Sequence, residues 1–200
     1  MIIQLIDNTF SYEMQKLTMA FFPDRKVLVD PDVVPEGENE FITVTLTEDP
    51  LTVSAEFRND AENLHSTASE VVEEGDDPEL AAGRVLYRAL SEVTGIRPQW
   101  GILTGVRPSK VMTKHIDAEG EEAAKEYFVH RLYTDPKKAE LAAVVSNAER
   151  AIMDTTTEES ISLYVGIPFC TSRCTYCSFV SESIASPRAK KLYPAYFEKL

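Results

Sequence analysis

The stretch "YVGIPFCTSRCTYCSF", residues 164–179, holds all three cysteines of a chain of 200 residues. They stand at Cys170, Cys174 and Cys177, with three and then two residues between them. Thiolates are soft ligands, suited to iron–sulfur clusters and to zinc, and a purely structural site of either kind usually takes four protein ligands. Here there are three. A zinc knuckle would need a fourth ligand, yet His65, His115 and His130 lie far off with no metal-ligand spacing among them and read as ordinary surface or helix-face histidines. A cubane cluster held by three cysteines keeps one iron open for a small molecule, as an open zinc position marks a catalytic site.

The flanks of the loop read as strand and helix. "ISLYVGI", 161–167, alternates apolar and small or polar residues with β-branched content, which predicts a strand, and Pro168 stops regular pairing and turns the chain into the loop. After the loop, "SPRAKKLYPAYFEKL" begins a helix at Ser186 and Pro187, with Leu192, Tyr196 and Leu200 near helical spacing and Pro194 weakening its first turns.

Upstream lies a body of another kind. Residues 1–160 carry a net charge of −16 and residues 161–200 carry +3, within a total of −13. Acidity over most of the surface argues against a nucleic-acid backbone as partner. No apolar run is long enough to span a membrane and no signal peptide is evident, so a cytoplasmic protein is expected; an odd number of clustered cysteines fits a reducing compartment.

The body reads as mixed α and β. "MIIQLI", "KVLVD", "FITVTL" and "LTVSAEF" are strand candidates, with a helix between Tyr12 and Phe21, and the economical arrangement is a β-meander with one early helix. The polar stretch from Asn59 to Asp77 leaves room for one more edge strand. Asp77 caps and Pro78 opens a helix that runs by apolar spacing to Gly95. Three more helices are expected over 108–115, 119–133 and 139–154, the last behind the pair Asp135-Pro136. The polar "DTTTEES", 154–160, is the linker candidate, giving an N-terminal domain over 1–153 and a second region over 161–200.

The segment Cys170-Thr-Ser-Arg-Cys174-Thr-Tyr176-Cys177 matches the CxxxCx(aromatic)C signature of the radical S-adenosylmethionine (SAM) enzymes, which place it after the first barrel strand. "YVGIPFC" resembles the coproporphyrinogen oxidase-like branch, and "GILTGVRPSK", 101–110, with the mixed N-terminal domain resembles its coproporphyrinogen dehydrogenase subgroup. The fold implied is an α+β N-terminal domain followed by the first βα unit of a radical SAM partial (β/α) barrel. That barrel is expected to be truncated, since six units take on the order of two hundred residues and only about forty follow the linker.

The resemblance implies a [4Fe-4S] cluster on Cys170, Cys174 and Cys177. S-adenosylmethionine would bind the open iron and yield a 5′-deoxyadenosyl radical, with Tyr164 touching the bound cofactor and Tyr176 against its adenine; simple packing is the competing role for both tyrosines. Phe169 and Phe179 would shield the cluster, and Arg173 would tune it, meet a substrate carboxylate or face solvent. The implied reaction is decarboxylation of two propionates of coproporphyrinogen III, a porphyrinogen substrate, with an electron donor as partner. The fragment by itself is expected to be inactive.

Gly166 stands where the best-known members carry histidine, and Ser178-Phe179 where they carry a further cysteine. Heme-trafficking relatives share these features in part, which keeps a heme-binding chaperone beside the oxidase; a structural metal module is the reading from another class. Arg107 reads as an anion site at a helix start or, preferred here, as an interdomain structural bend.

Overall fold

The computed structural model describes residues 1–33, 36–104, 107–172, 174 and 181–200. They divide into two compact units, Met1–Thr155 and Thr156–Leu200.

The first unit is α+β. Five strands, β1 (Ile2–Ile6), β2 (Leu28–Val29), β3 (Glu40–Thr47), β4 (Thr52–Asn59) and β5 (Leu64–Val71), form a mixed sheet in the order β2-β1-β3-β4-β5. The simple meander does not hold. β3, β4 and β5 are antiparallel neighbours, with Ile42 opposite Phe57 and Phe57 opposite Ser66, but β1 lies parallel to both β2 and β3. The reason is α1 (Ser11–Phe21), which follows β1 and buries Met14, Leu17 and Phe21. A crossover helix returns the chain to the end from which it left, so the next strand runs parallel. The run "KVLVD" contributes only two residues of strand.

Alternation decides which face is covered. In β4 Val53, Ala55 and Phe57 are buried while Glu56 and Arg58 are exposed. Against the apolar face packs α2 (Pro78–Thr94), whose N-cap Asp77 accepts a hydrogen bond from Glu79 N at 2.9 Å and whose end is Gly95 in the left-handed region, φ 67°. Leu86 and Leu90 of α2 are fully buried, and removing each from water is worth about 2 kcal/mol.

α2 also carries Arg84, 3% exposed, whose guanidinium meets Glu70 and Asp76 at 2.5 Å each. Arg131 adds a second cation on Asp76, and Arg88 one on Glu70 at 2.7 Å. Burial opposes the charge of Asp76, but hydrogen bonds from Arg131 and Arg84 outweigh it and hold its carboxyl below the ordinary value. Glu70 is lowered in the same way, its burial overcome by Arg84 and Arg88.

Three helices complete this unit: α3 (Pro108–Glu119), α4 (Glu121–His130) and α5 (Pro136–Met153). Met112, Phe128 and Ala142 join them to the same hydrophobic core as the sheet. α3 outruns its expected end at 115, and α4 stops before 133, because the chain leaves the helix to bond elsewhere. Ile102 N donates to Leu132 O at 2.9 Å and Asp135 N to Gln99 O at 2.8 Å, while Tyr133 takes φ 56°. Gly101 makes that approach possible: its φ is 60°, and a Cβ there would lie 1.9 Å from Leu132 O. Within "GILTGVRPSK", Gly101 is one tight turn. Arg107 is exposed, with no ion pair or side-chain hydrogen bond among the described residues.

The second unit holds two short strands, β6 (Phe169–Cys170) and β7 (Glu182–Ser183), and α6 (Pro187–Lys199). The strand expected over 161–167 is absent: residues 161–168 carry no regular structure, and Ile161, Leu163 and Tyr164 are 93%, 87% and 87% exposed. A strand needs an edge to pair with, and among the described residues none is offered to this segment. Pairing starts after Pro168 instead of stopping there. Only the helix of the expected βα unit is formed, with Ser186 as its N-cap and Pro194 inside it.

Candidate metal-binding loop

The cysteine segment is closed at its base. β6 and β7 pair in parallel, Phe169 with Glu182 and Cys170 with Ser183, through bonds from Glu182 N to Pro168 O and from Ile184 N to Cys170 O, both 2.9 Å. Proline lacks an N–H, but its carbonyl still accepts, so Pro168 can stand at the edge of this ladder. The residues on either side of 171–181 are thus pinned together.

α6 fixes one side of that base. Ser186 Oγ donates to Glu182 at 2.9 Å and accepts from Ala189 N at 3.0 Å, tying β7 to the first turn of the helix. The Tyr196 hydroxyl donates to Gly166 O. Phe169, next to the first cysteine, sits edge-on to Tyr193 and Tyr196, with ring centroids 6.3 and 5.4 Å away. Edge-to-face pairs contribute about 1 kcal/mol beyond their area. Phe169 thus packs on α6. Tyr193 and Tyr196, three residues apart on α6, meet it, and Phe197 packs on both of those rings, while Leu192 and Leu200 of the expected stripe take no part in these ring contacts. Of the expected stripe Tyr196 meets Phe169, and Tyr193, three residues before it, is the member that the aliphatic spacing does not mark.

Cys170 is half-buried and Cys174 exposed, and both are free thiols. Cys177, Tyr176, Arg173 and Phe179 lie outside the described residues. Among the described residues no group of three or more His, Cys, Asp or Glu is assembled around a point. The two described thiols stand four positions apart and neither is spent in a disulfide, which suits them as soft ligands. His65 and His115 are engaged with Glu56 and Glu119, at 3.0 and 2.7 Å.

Tyr164 is exposed, and a Cβ at Gly166 would come within 3.3 Å of its ring. The glycine therefore leaves the tyrosine ring room over the backbone two residues on, and a larger residue there would displace it by a few tenths of an ångström.

The chain is 34% identical over 107 residues to the "oxygen-independent coproporphyrinogen-III oxidase-like protein HemZ" of Bacillus subtilis (strain 168), a match that takes in 50% of this chain. Over that half the chain is similar to a coproporphyrinogen-III oxidase-like protein. The match spans 21% of the length of that curated relative. No family model matches the chain, and no solved structure matches it. Among the described residues no helix is long and apolar enough to cross a membrane.

Proposed function

We propose that this chain carries the cluster-binding segment of a radical S-adenosylmethionine enzyme of porphyrin biosynthesis, acting on coproporphyrinogen III. The observation that carries the reading is the spacing of Cys170, Cys174 and Cys177 behind Tyr164-x-x-Ile-Pro-Phe, in a chain 34% identical over half its length to an oxidase-like protein. Cys170, Cys174 and Cys177 would hold a [4Fe-4S] cluster. When bound, such a cluster leaves one iron for S-adenosylmethionine and supplies the electron that breaks its sulfonium, drawn from an electron donor.

The chain's own residues have plainer tasks. β6 and β7 bring the two ends of the loop together, and Phe169 with its α6 partners presents an apolar flank beside Cys170, where exclusion of water strengthens local electrostatics. Exposed Tyr164 is available to a cofactor. In the net reaction each propionate would give one hydrogen atom, from the carbon β to its carboxyl, to the deoxyadenosyl group of S-adenosylmethionine, which leaves as 5′-deoxyadenosine, and would then lose CO2 and pass one electron to an acceptor, leaving a vinyl group. The barrel fold of the complete enzyme and a cytoplasmic setting belong to the same proposal.

Anaerobic reconstitution of the chain with iron and sulfide tests this. The expected result is about four irons per chain, with an electron paramagnetic resonance spectrum that changes on adding S-adenosylmethionine. Zinc without iron, or a spectrum indifferent to the cofactor, would overturn it. Retention of heme by the longer protein, without turnover of coproporphyrinogen, would favour the chaperone.

A further inference from the structure

A cavity of about 990 Å³ opens in the first unit between α1, α2 and α3, remote in sequence from the cysteines. Its lining is sorted by chemistry. Leu80, Leu103 and Val111, each half-buried, supply an apolar floor over the buried Ile102 and Leu132, and Ile102 fills the place where a side chain at Gly83 would stand. Arg107, Lys110 and Lys114 rise along one side. They are spaced three and four residues apart, which puts them on one face of α3. At 1.5 Å per residue they spread over about 10 Å.

None of the three has an ion pair among the described residues, in a protein with 33 carboxylate side chains against 20 lysines and arginines. Arg58, Arg84, Arg88, Lys125, Arg131 and Arg150 are paired, and the cations without an ion pair among the described residues, Lys26, Arg97 and Lys137 among them, do not otherwise stand three on one face of a cleft. An unpaired run of cations beside an apolar floor is matched by an anion that brings its own apolar body. His115 stacks on Tyr127 at 3.9 Å between ring centroids, giving the wall a flat aromatic face.

The opposite side is acidic. Glu13 and Glu79 face the same space, and the Glu79 carboxyl is pushed up, first by burial and then by the charge of Glu13. A ligand with anionic groups all along one edge fits; one charged on every side is repelled. The apolar floor offers little to a sugar phosphate, whose hydroxyls would go unpaired there.

We infer that this cleft is a second binding site, for a ring-shaped apolar molecule carrying two or more carboxylates at its edge, held by Arg107, Lys110 and Lys114 with its body on Leu80, Leu103 and Val111. The site stands on the cleft alone. The choice of probe rests on the proposed porphyrin reading.

The probe is coproporphyrin III, the stable oxidised form of a tetracarboxylate porphyrinogen, titrated by its fluorescence into the metal-free 200-residue chain at low salt. Saturable binding is expected, at least tenfold weaker in the triple variant Arg107→Gln, Lys110→Gln, Lys114→Gln. A control with the same charge change elsewhere, Lys26→Gln, Lys137→Gln, Lys190→Gln, should stay within twofold. Glu13→Gln with Glu79→Gln should tighten binding by removing the repelling wall, a gain that misfolding would not produce. Circular dichroism checks that each variant is folded.

Replacing Cys170 and Cys174 by Ala should leave this binding intact, so loss of the cluster reading and loss of this site are told apart. Equal binding by wild type and the triple variant would overturn the inference. Displacement of the probe by ATP at comparable concentration would also overturn it, in favour of a nucleotide site, and displacement by citrate alone would reduce the cleft to a plain anion patch.

Discussion

β4 and the segment 161–167 carry the same kind of sequence and end in opposite places. Val53, Ala55 and Phe57 alternate along β4 and are at most 2% exposed; Leu163, Val165 and Ile167 alternate likewise and are 87%, 51% and 53% exposed. β4 has β3 on one edge, β5 on the other and α2 across its face, whereas 161–168 has no strand partner among the described residues. Alternation is thus a request for a partner and does not supply one. The same contrast runs through the two units. The first closes around one core that takes in sheet and helices, while in the second only Ala189 is buried among the described residues.

The largest effect that would test this contrast is on metal. Replacing Cys170 and Cys174 by Ala should abolish iron uptake while leaving the unfolding of the first unit unchanged, as read by the fluorescence of Trp100, the single tryptophan. A shift in that midpoint would show the two units to be energetically coupled.

Next comes Gly101→Ala. A left-handed backbone, a Cβ 1.9 Å from Leu132 O and loss of the bond from Ile102 N to Leu132 O combine to about 4 kcal/mol of destabilisation, measured by urea unfolding followed by circular dichroism. Gly95→Ala, also left-handed at φ 67° but with nothing within 4 Å, should cost only about 1 kcal/mol. Equal costs would mean that the close approach at Gly101 relaxes.

Arg84→Ala should cost about 3 kcal/mol, because it leaves Glu70 and Asp76 partly buried without their shared cation. The same network sets a pH dependence. Asp76 and Glu70 have carboxyls lowered in the folded state, so their contribution is complete above the unfolded carboxylate values near 4. It is lost as pH falls through the folded values. Acid unfolding of the first unit should therefore steepen below about pH 4, and less so in Arg84→Ala. The smallest effect is expected at Leu163→Ser, within about 0.5 kcal/mol by the same unfolding assay, since the side chain already faces water.

Much of the fold was legible along the chain because its signals are local. Asp77, Asp135 and Ser186 each accept a hydrogen bond from a backbone N–H two or three residues on, so their helix starts could be read from a few letters. Of the candidate site, the cysteine spacing and its soft-ligand chemistry were likewise written in sixteen residues. The aromatic packing of Phe169 on Tyr193 and Tyr196 was not, since it joins residues more than twenty positions apart. The stop of α4 was hidden for the same reason: what draws the chain out of the helix is a set of bonds to Gln99, Trp100 and Ile102.

By itself the sequence determined where α2 and α6 begin, which strands of the sheet have an apolar face, and that three cysteines fall within eight residues. Each of these is settled by contacts within a few residues. The tertiary structure alone decided that β1 runs parallel to its neighbours, that 161–167 forms no strand, and that Arg107, Lys110 and Lys114 border an apolar cleft floored by α2 and the 102–103 segment. These outcomes turn on partners tens of residues away, and a chain's local pattern says what each segment could join, while packing chooses what it does join.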